Sequence, residues 1–229
     1  MAAVDPGLGR LGRATPPPCR LVSAVLAVAM LAALPAAARA QGLFGSIEFS
    51  SNSLSAIPQW LAVIDRIRSE RATLASCDAN AASCPTERVR AWRSLVESAR
   101  GYSQTDQLAY VNQFANAVVP YITDSDNYGV SDYWAAPLEF LRRSGDCEDY
   151  AIIKFVSLLD LGFTNDQMRI VIVRDIVRNL AHAVLAVEMN GRFYILDSLF
   201  NAVLEDARVS QYVPQYSVNL DTRWAHIMR

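Results

Sequence analysis

The hydrophobic period of this chain changes near Gly162, and that change limits the folds open to it. Ahead of it, apolar residues recur at helical spacing. In IPQWLAVIDRIRSERATLASC, Trp60, Ile64, Ile67 and Leu74 share a stripe, while Asp65, Arg66, Arg68 and Glu70 take the other faces. PTERVRAWRSLVESAR starts at Pro85 and aligns Val89, Trp92 and Val96; QTDQLAYVNQFANAVV aligns Leu108, Val111, Phe114 or Ala115, and Val118. Trp60 and Trp92 are expected in the core. DSDNYGVSDYWAAP reads as a loop, followed by a helix from Cys147 through Ile152, Ile153, Val156 and Leu159 to near Gly162. Beyond it, MRIVIVRDI, AHAVLAVEM and RFYILDSL are short and rich in β-branched and aromatic residues, and Asn190-Gly191 between the last two signals a hairpin. Helices first and antiparallel strands after them predict an α+β domain.

The first 40 residues stand apart. Arg10, Arg13 and Arg20 precede an apolar run from Leu21 to Leu34, and Ala38-Arg39-Ala40 supplies a small-x-small cleavage pattern. Residues 1–40 read as a signal peptide cut before Gln41 rather than a membrane anchor, because the run falls short of the ~20 residues that a bilayer crossing needs. Cleavage changes the net charge from −2 to −5 and leaves Lys154 as the only lysine, which argues against a nucleic-acid partner. Residues 41–229 suit one domain, exported and without membrane insertion. In an oxidising compartment Cys77 and Cys84 are expected to pair. So short a loop contributes about 2.5 kcal/mol on the chain-entropy model. A metal site there is the alternative, but no histidine lies near and two thiolates make an incomplete zinc shell. Cys147 then remains a free thiol.

Cys147 sits in GDCEDYA, between Asp146 on one side and Glu148 and Asp149 on the other. At ~8 Å and an effective dielectric of ~20, each carboxylate opposes the thiolate by about 2 kcal/mol. The expected layout compensates in part: Asp146 is the N-cap and Cys147 the first helical residue, where free N–H groups and the helix dipole favour a thiolate and an oxyanion. Of the two histidines, His182 opens one strand of the predicted hairpin and Asp197 closes the other, whereas His226 lies almost at the C-terminus. Cys147, His182 and Asp197 thus supply a nucleophile, a base and an orienting carboxylate. Each has a commoner bland role, as a small buried residue, a core histidine or a turn former. Together, in this order and on these elements, they favour catalysis.

The order Cys, His, Asp on helix, strand and strand resembles the papain-related, transglutaminase-like superfamily. SDYWAAPLEFLRRSGDCEDYAIIKF, AHAVLAV and FYILDSL, with the paired Cys77 and Cys84 and the following Ala91-Trp92, resemble the bacterial transglutaminase-like cysteine proteases of the LapG type. The resemblance implies a papain/transglutaminase-like fold and a periplasmic, calcium-dependent cysteine endopeptidase. Its substrate would be a large repetitive surface adhesin cut near its N-terminus, releasing cells from a biofilm. Its sequestering partner would be an inner-membrane receptor that senses cyclic di-GMP. An amide transferase using the same triad, or a non-catalytic calcium-binding partner of a membrane receptor, are the alternatives.

The resemblance also gives the acids a purpose, since it implies that Asp146 and Glu148 hold Ca²⁺. Without it, acids in a first helical turn are ordinary capping residues. Steps of ~100° per residue send Asp146, Glu148 and Asp149 around the helix, so further oxygens are expected from Asp124, Asp126 and Asn127. DSDNYG is not an EF-hand, because Tyr128 and Ala135 occupy its fifth and twelfth positions. Tyr133 and Trp134 are expected to line the cleft.

Overall fold

A computed structural model of the chain describes residues 42–228; the expected leader over residues 1–40 lies outside them. Helix α1 (Pro58–Ala79) opens on a proline, whose missing N–H would be unbonded at that position anyway. Helices α2 (Glu87–Ala99) and α3 (Gln104–Val118) start on Thr86 and Ser103, whose hydroxyls accept the N–H of Val89 and of Asp106. The predicted stripes face inward: Trp60, Ile64, Ile67, Leu74, Val89, Trp92, Val96, Leu108, Val111 and Ala115 are all buried. Within the stretch read as a loop, α4 (Asp124–Asn127) is a single turn. Helix α5 (Pro137–Arg143) begins on Pro137, the last residue of the same stretch. Helix α6 runs Cys147–Asp160, as expected.

The strands β1 (Ile47–Ser51), β2 (Met168–Asp175), β3 (Leu180–Met189), β4 (Arg192–Leu196), β5 (Leu204–Glu205), β6 (Tyr212–Val218) and β7 (Arg223–Ile227) form one antiparallel sheet. Their order is β1-β7-β6-β2-β3-β4-β5. One face of β2 and β3, with Ile170, Leu185 and Val187, packs in the helical core; the other, with Val171, Val184 and Ala186, packs on Leu43, Val209 and Tyr212. Burial on both faces explains why these two strands read as almost unbroken apolar runs. The hairpin at Asn190-Gly191 is present, with both residues at positive φ.

Strands β1, β5, β6 and β7 have no counterpart in the sequence pattern. Pro214 lies inside β6, which is tolerated because the β2–β6 register shifts between Ile172 and Val173. Cys77 and Cys84 form the expected disulfide, tying the last turn of α1 to the segment before α2. Among the described residues, no helix is long and apolar enough to cross a membrane.

Candidate active site

The chain enters α6 through a constrained turn. Ser144 takes a positive φ of 79° and Asp146 is extended at φ −116° and ψ −157°. The carboxylate of Asp149 turns back to accept the Asp146 N–H at 3.3 Å and, through its other oxygen, the Ala135 N–H at 2.6 Å. This is the N3 half of a capping box, and it leaves Cys147 as the first helical residue. The thiol lies against the backbone N–H of Ala183 and 3.4 Å from Glu148 Oε2. Burial pushes its pKa well above the ordinary thiol value, and the charges of Glu148 and Asp146 push it further. Tyr121, exposed on the surface, is close enough for the charges of Cys147, Asp146 and Glu148 to add to burial in raising its hydroxyl pKa.

Ala183 follows His182 on β3, so the thiol and the imidazole belong to the same corner of the molecule. The β3–β4 ladder ends where Leu185 faces Leu196, and the chain leaves β4 at Asp197. His182 Nε2 is 2.8 Å from Asp197 Oδ1, with both side chains buried. Asp197 Oδ1 also accepts the Leu199 N–H at 2.9 Å, and Oδ2 accepts the Tyr212 hydroxyl at 2.5 Å. Burial opposes the charge on Asp197, but the His182 bond and charge, with Tyr212 and Leu199, hold its pKa below the usual carboxylate value. Two asparagines of α3 fix the following loop: Asn116 Nδ2 donates to the carbonyls of Asp197 and Phe200, and Asn112 Nδ2 to those of Phe200 and Asn201. Neither Tyr212 nor these asparagines are among the residues expected at the site from sequence. The signal for the pair is two amides four residues apart on one helix face, beside the apolar stripe of Leu108, Val111 and Ala115.

The predicted Asp146 and Glu148 are joined by Asp124 and Asp149, and the four offer carboxylate oxygens within 4.8 Å of one another. Three acids from one helical start do converge, contrary to the expectation from 100° steps. Asp146 is extended and so lies off the helical spiral, while Asp149 folds back towards the cap. Asp126 is outside the cluster and accepts the Thr123 hydroxyl at 2.8 Å, while Asn127 Nδ2 donates to the Ser144 carbonyl at 3.0 Å. Trp134 does not line the cleft. It is buried against Trp60, with its indole N–H on Asp132. Tyr133 is partly buried, and its N–H reaches Asp124 Oδ2 at 2.5 Å.

Among the described residues, none of the four acids has a basic ion-pair partner. Oδ1 of Asp124 and Oδ1 of Asp146 are buried without a hydrogen bond. Burial, then a hydrogen bond with Asp146 and the charges of Asp149 and Asp146, pushes Glu148 up to about 11. Burial pushes Asp124 up to about 6 and Asp149 well above the ordinary range. Convergent oxygens with orphaned lone pairs and surplus negative charge fit a hard divalent cation.

The family model of bacterial transglutaminase-like cysteine proteinases matches residues 71–229. LapG of Legionella pneumophila is 33% identical, with 67% of this chain and 87% of that one covered at a TM-score of 0.59. The calcium-bound form of Legionella LapG is 36% identical over 61% of this chain and 78% of that one, at a TM-score of 0.56. The EGTA-treated form gives 33% identity, 67% and 85% coverage and a TM-score of 0.59. No curated protein matches the chain. The helices and antiparallel sheet are those of the transglutaminase-like α+β fold.

Proposed function

Because the chain belongs to the bacterial transglutaminase-like cysteine proteinases, we propose that it is a calcium-dependent endopeptidase acting through Cys147, His182 and Asp197. The observation that carries this reading is the placement of the thiol at the start of α6, against the Ala183 N–H. The neighbouring His182 has its Nε2 2.8 Å from Asp197. With Nε2–H given to Asp197, Nδ1 is the nitrogen left with a lone pair, and it takes the thiol proton. The sulfur attacks the scissile carbonyl, and the oxyanion meets backbone N–H at the helix start. His182 passes the proton to the leaving amine, then draws one from water to release the acyl group.

Asp124, Asp146, Glu148 and Asp149 would hold the Ca²⁺. When bound, the cation offsets the carboxylate charge that otherwise holds the thiol protonated. The calcium-bound and EGTA-treated forms of Legionella LapG support this assignment. The substrate is a large repetitive surface adhesin, cut near its N-terminus in the periplasm to release cells from a biofilm. An inner-membrane cyclic di-GMP receptor sequesters the enzyme. These assignments draw on the resemblance carried by GDCEDYA, and the periplasmic location also on the leader pattern of residues 1–40.

The test is cleavage of an adhesin N-terminal fragment alongside calorimetric Ca²⁺ titration. Cys147→Ala and His182→Ala should abolish turnover or cut it by orders of magnitude, whereas His226→Ala should change it little. Asp146→Asn with Glu148→Gln should abolish Ca²⁺ binding. Turnover by Cys147→Ala would end the protease reading, and undiminished cleavage by chelated wild type would remove calcium from it. Adding a primary amine and weighing the products separates hydrolysis from amide transfer.

A further inference from the structure

We propose that Tyr212 is a positioning residue of the catalytic triad and that the segment Leu43–Gly45 holds it in place. The inference rests on the triad reading above and extends it to two elements of the fold that no triad residue occupies. Tyr212 opens β6, His182 lies on β3 and Asp197 follows β4. In the sheet order β6-β2-β3-β4, the bond from Tyr212 to Asp197 therefore closes under the end of the sheet, with His182 between them.

The two oxygens of Asp197 are held differently. Oδ1 takes two donors, His182 Nε2 at 2.8 Å and the Leu199 N–H at 2.9 Å, while Oδ2 takes the Tyr212 hydroxyl at 2.5 Å. An ionised carboxylate only accepts, so the phenol is the donor. The last torsion of an aspartate is soft, and two donors on one oxygen still let the group swing about that oxygen. A donor on the second oxygen fixes the carboxylate plane, and with it the direction in which Oδ1 meets the imidazole. Asp197 is wholly buried, and Tyr212 is 2% exposed with its ring 5.6 Å from that of His182. Packing alone does not require the hydroxyl, because phenylalanine fills the same apolar space among Leu43, Val173 and Val209.

Tyr212 is supported in turn by the chain ahead of β1. The Phe44 ring meets it edge-on at 6.3 Å. Phe44 holds a positive φ of 55°, a costly conformation for a bulky side chain, and is fastened there by its N–H on Asp206 Oδ2 at 2.7 Å. The neighbouring Leu43 is fully buried, with its N–H on Glu48 Oε1 at 2.9 Å. The first described residues thus buttress the group that orients the triad carboxylate.

The experiment uses the calcium-loaded protein and the adhesin fragment, with Tyr212→Phe, Phe44→Ala and Asp197→Asn compared with wild type. Tyr212→Phe should lower kcat by roughly 10- to 100-fold with KM unchanged, the loss expected for one hydrogen bond to a charged group. Phe44→Ala should lower kcat in the same direction by less. A purely structural role would not reach the imidazole, so the second readout is the Nε2–H resonance of His182 in ¹⁵N-histidine-labelled protein. Two histidines make the spectrum assignable, with His226 as the internal control. In Tyr212→Phe the His182 resonance should move or broaden while that of His226 stays. Wild-type kcat with an unmoved His182 resonance would overturn the proposal, as would lost stability with that resonance unmoved. If Asp197→Asn is damaging and Tyr212→Phe silent, this inference alone fails; if Asp197→Asn is itself silent, the triad reading fails.

Discussion

Gly145→Ala should damage the site although residue 145 offers it no side chain. A Cβ built on Gly145 would lie 1.9 Å from Asp149 Oδ2 and 2.7 Å from its Cγ. Restoring ordinary van der Waals contact, at about 3.4 Å, requires the carboxylate to move by about 1.5 Å. The backbone of Gly145 cannot easily retreat, because its carbonyl accepts the Ile122 N–H at 3.0 Å. Asp149 would give way instead and release the N–H groups of Ala135 and Asp146, now held at 2.6 and 3.3 Å. At roughly 1.5–3 kcal/mol for a hydrogen bond to a charged group, with the 3.3 Å bond at the weak end, the loss is about 3 kcal/mol. Urea unfolding of the calcium-loaded variant should show that loss. Calorimetry should show Ca²⁺ affinity down roughly 10- to 100-fold, since Asp149 belongs to the oxygen cluster and orients its neighbours. Wild-type stability and affinity in Gly145→Ala would refute the account of how this turn is built.

Two further outcomes are expected. Replacing Cys77 and Cys84 together with alanine should cost about 2–3 kcal/mol in urea unfolding and leave adhesin-fragment cleavage in place, because the bridge closes a short loop far in sequence from Cys147. Lys154 is fully buried with no hydrogen bond on Nζ, and burial, partly offset by the charge of Asp197, lowers its pKa to about 7. The unfolded lysine stays protonated up to about 10.5, so between pH 7 and 10.5 the unfolded chain binds more protons and this group makes stability rise with pH. Lys154→Met should remove that rise and raise the unfolding midpoint at pH 7; a variant that keeps the wild-type pH slope would contradict the assignment.

What could be read from the sequence follows from where the determining contacts lie. Helices α1, α2 and α3 carry their cores on visible stripes, and β2 to β4 are marked by composition and by Asn190-Gly191. Strand β6 hides behind Pro214, and β1 and β7 are half-exposed strands without an apolar run. In the site, the position of Cys147 after an N-cap was legible from local pattern, and so was the pairing of His182 with Asp197 across a hairpin. Tyr212 was not, since nothing near it in sequence marks what its hydroxyl touches 15 residues away. Asp124 was named only as one contributor among several, because it joins the acids through a backbone N–H bond to Asp146 from 22 residues upstream.

The convergence of these acids also bears on the two explanations of GDCEDYA, a helix cap and the proposed cation site. Capping needs one well-placed carboxylate, and an acid near a helix N-terminus contributes about 0.3–1 kcal/mol. Asp149 alone supplies the observed bond to the Asp146 N–H. Burial and the neighbouring acids push the Glu148 carboxyl up, whereas a capping role at a helix start holds a carboxyl down, so capping does not account for it. Asp124 caps nothing in α6: one of its oxygens takes the Tyr133 N–H, and the other is buried and unbonded. A cap accounts for Asp149 and leaves Asp124 and Glu148 buried against other acids with their carboxyls pushed up. The proposed divalent cation would give all four a common partner, and it would relieve the opposition to the thiolate that makes the sequence of this turn anomalous.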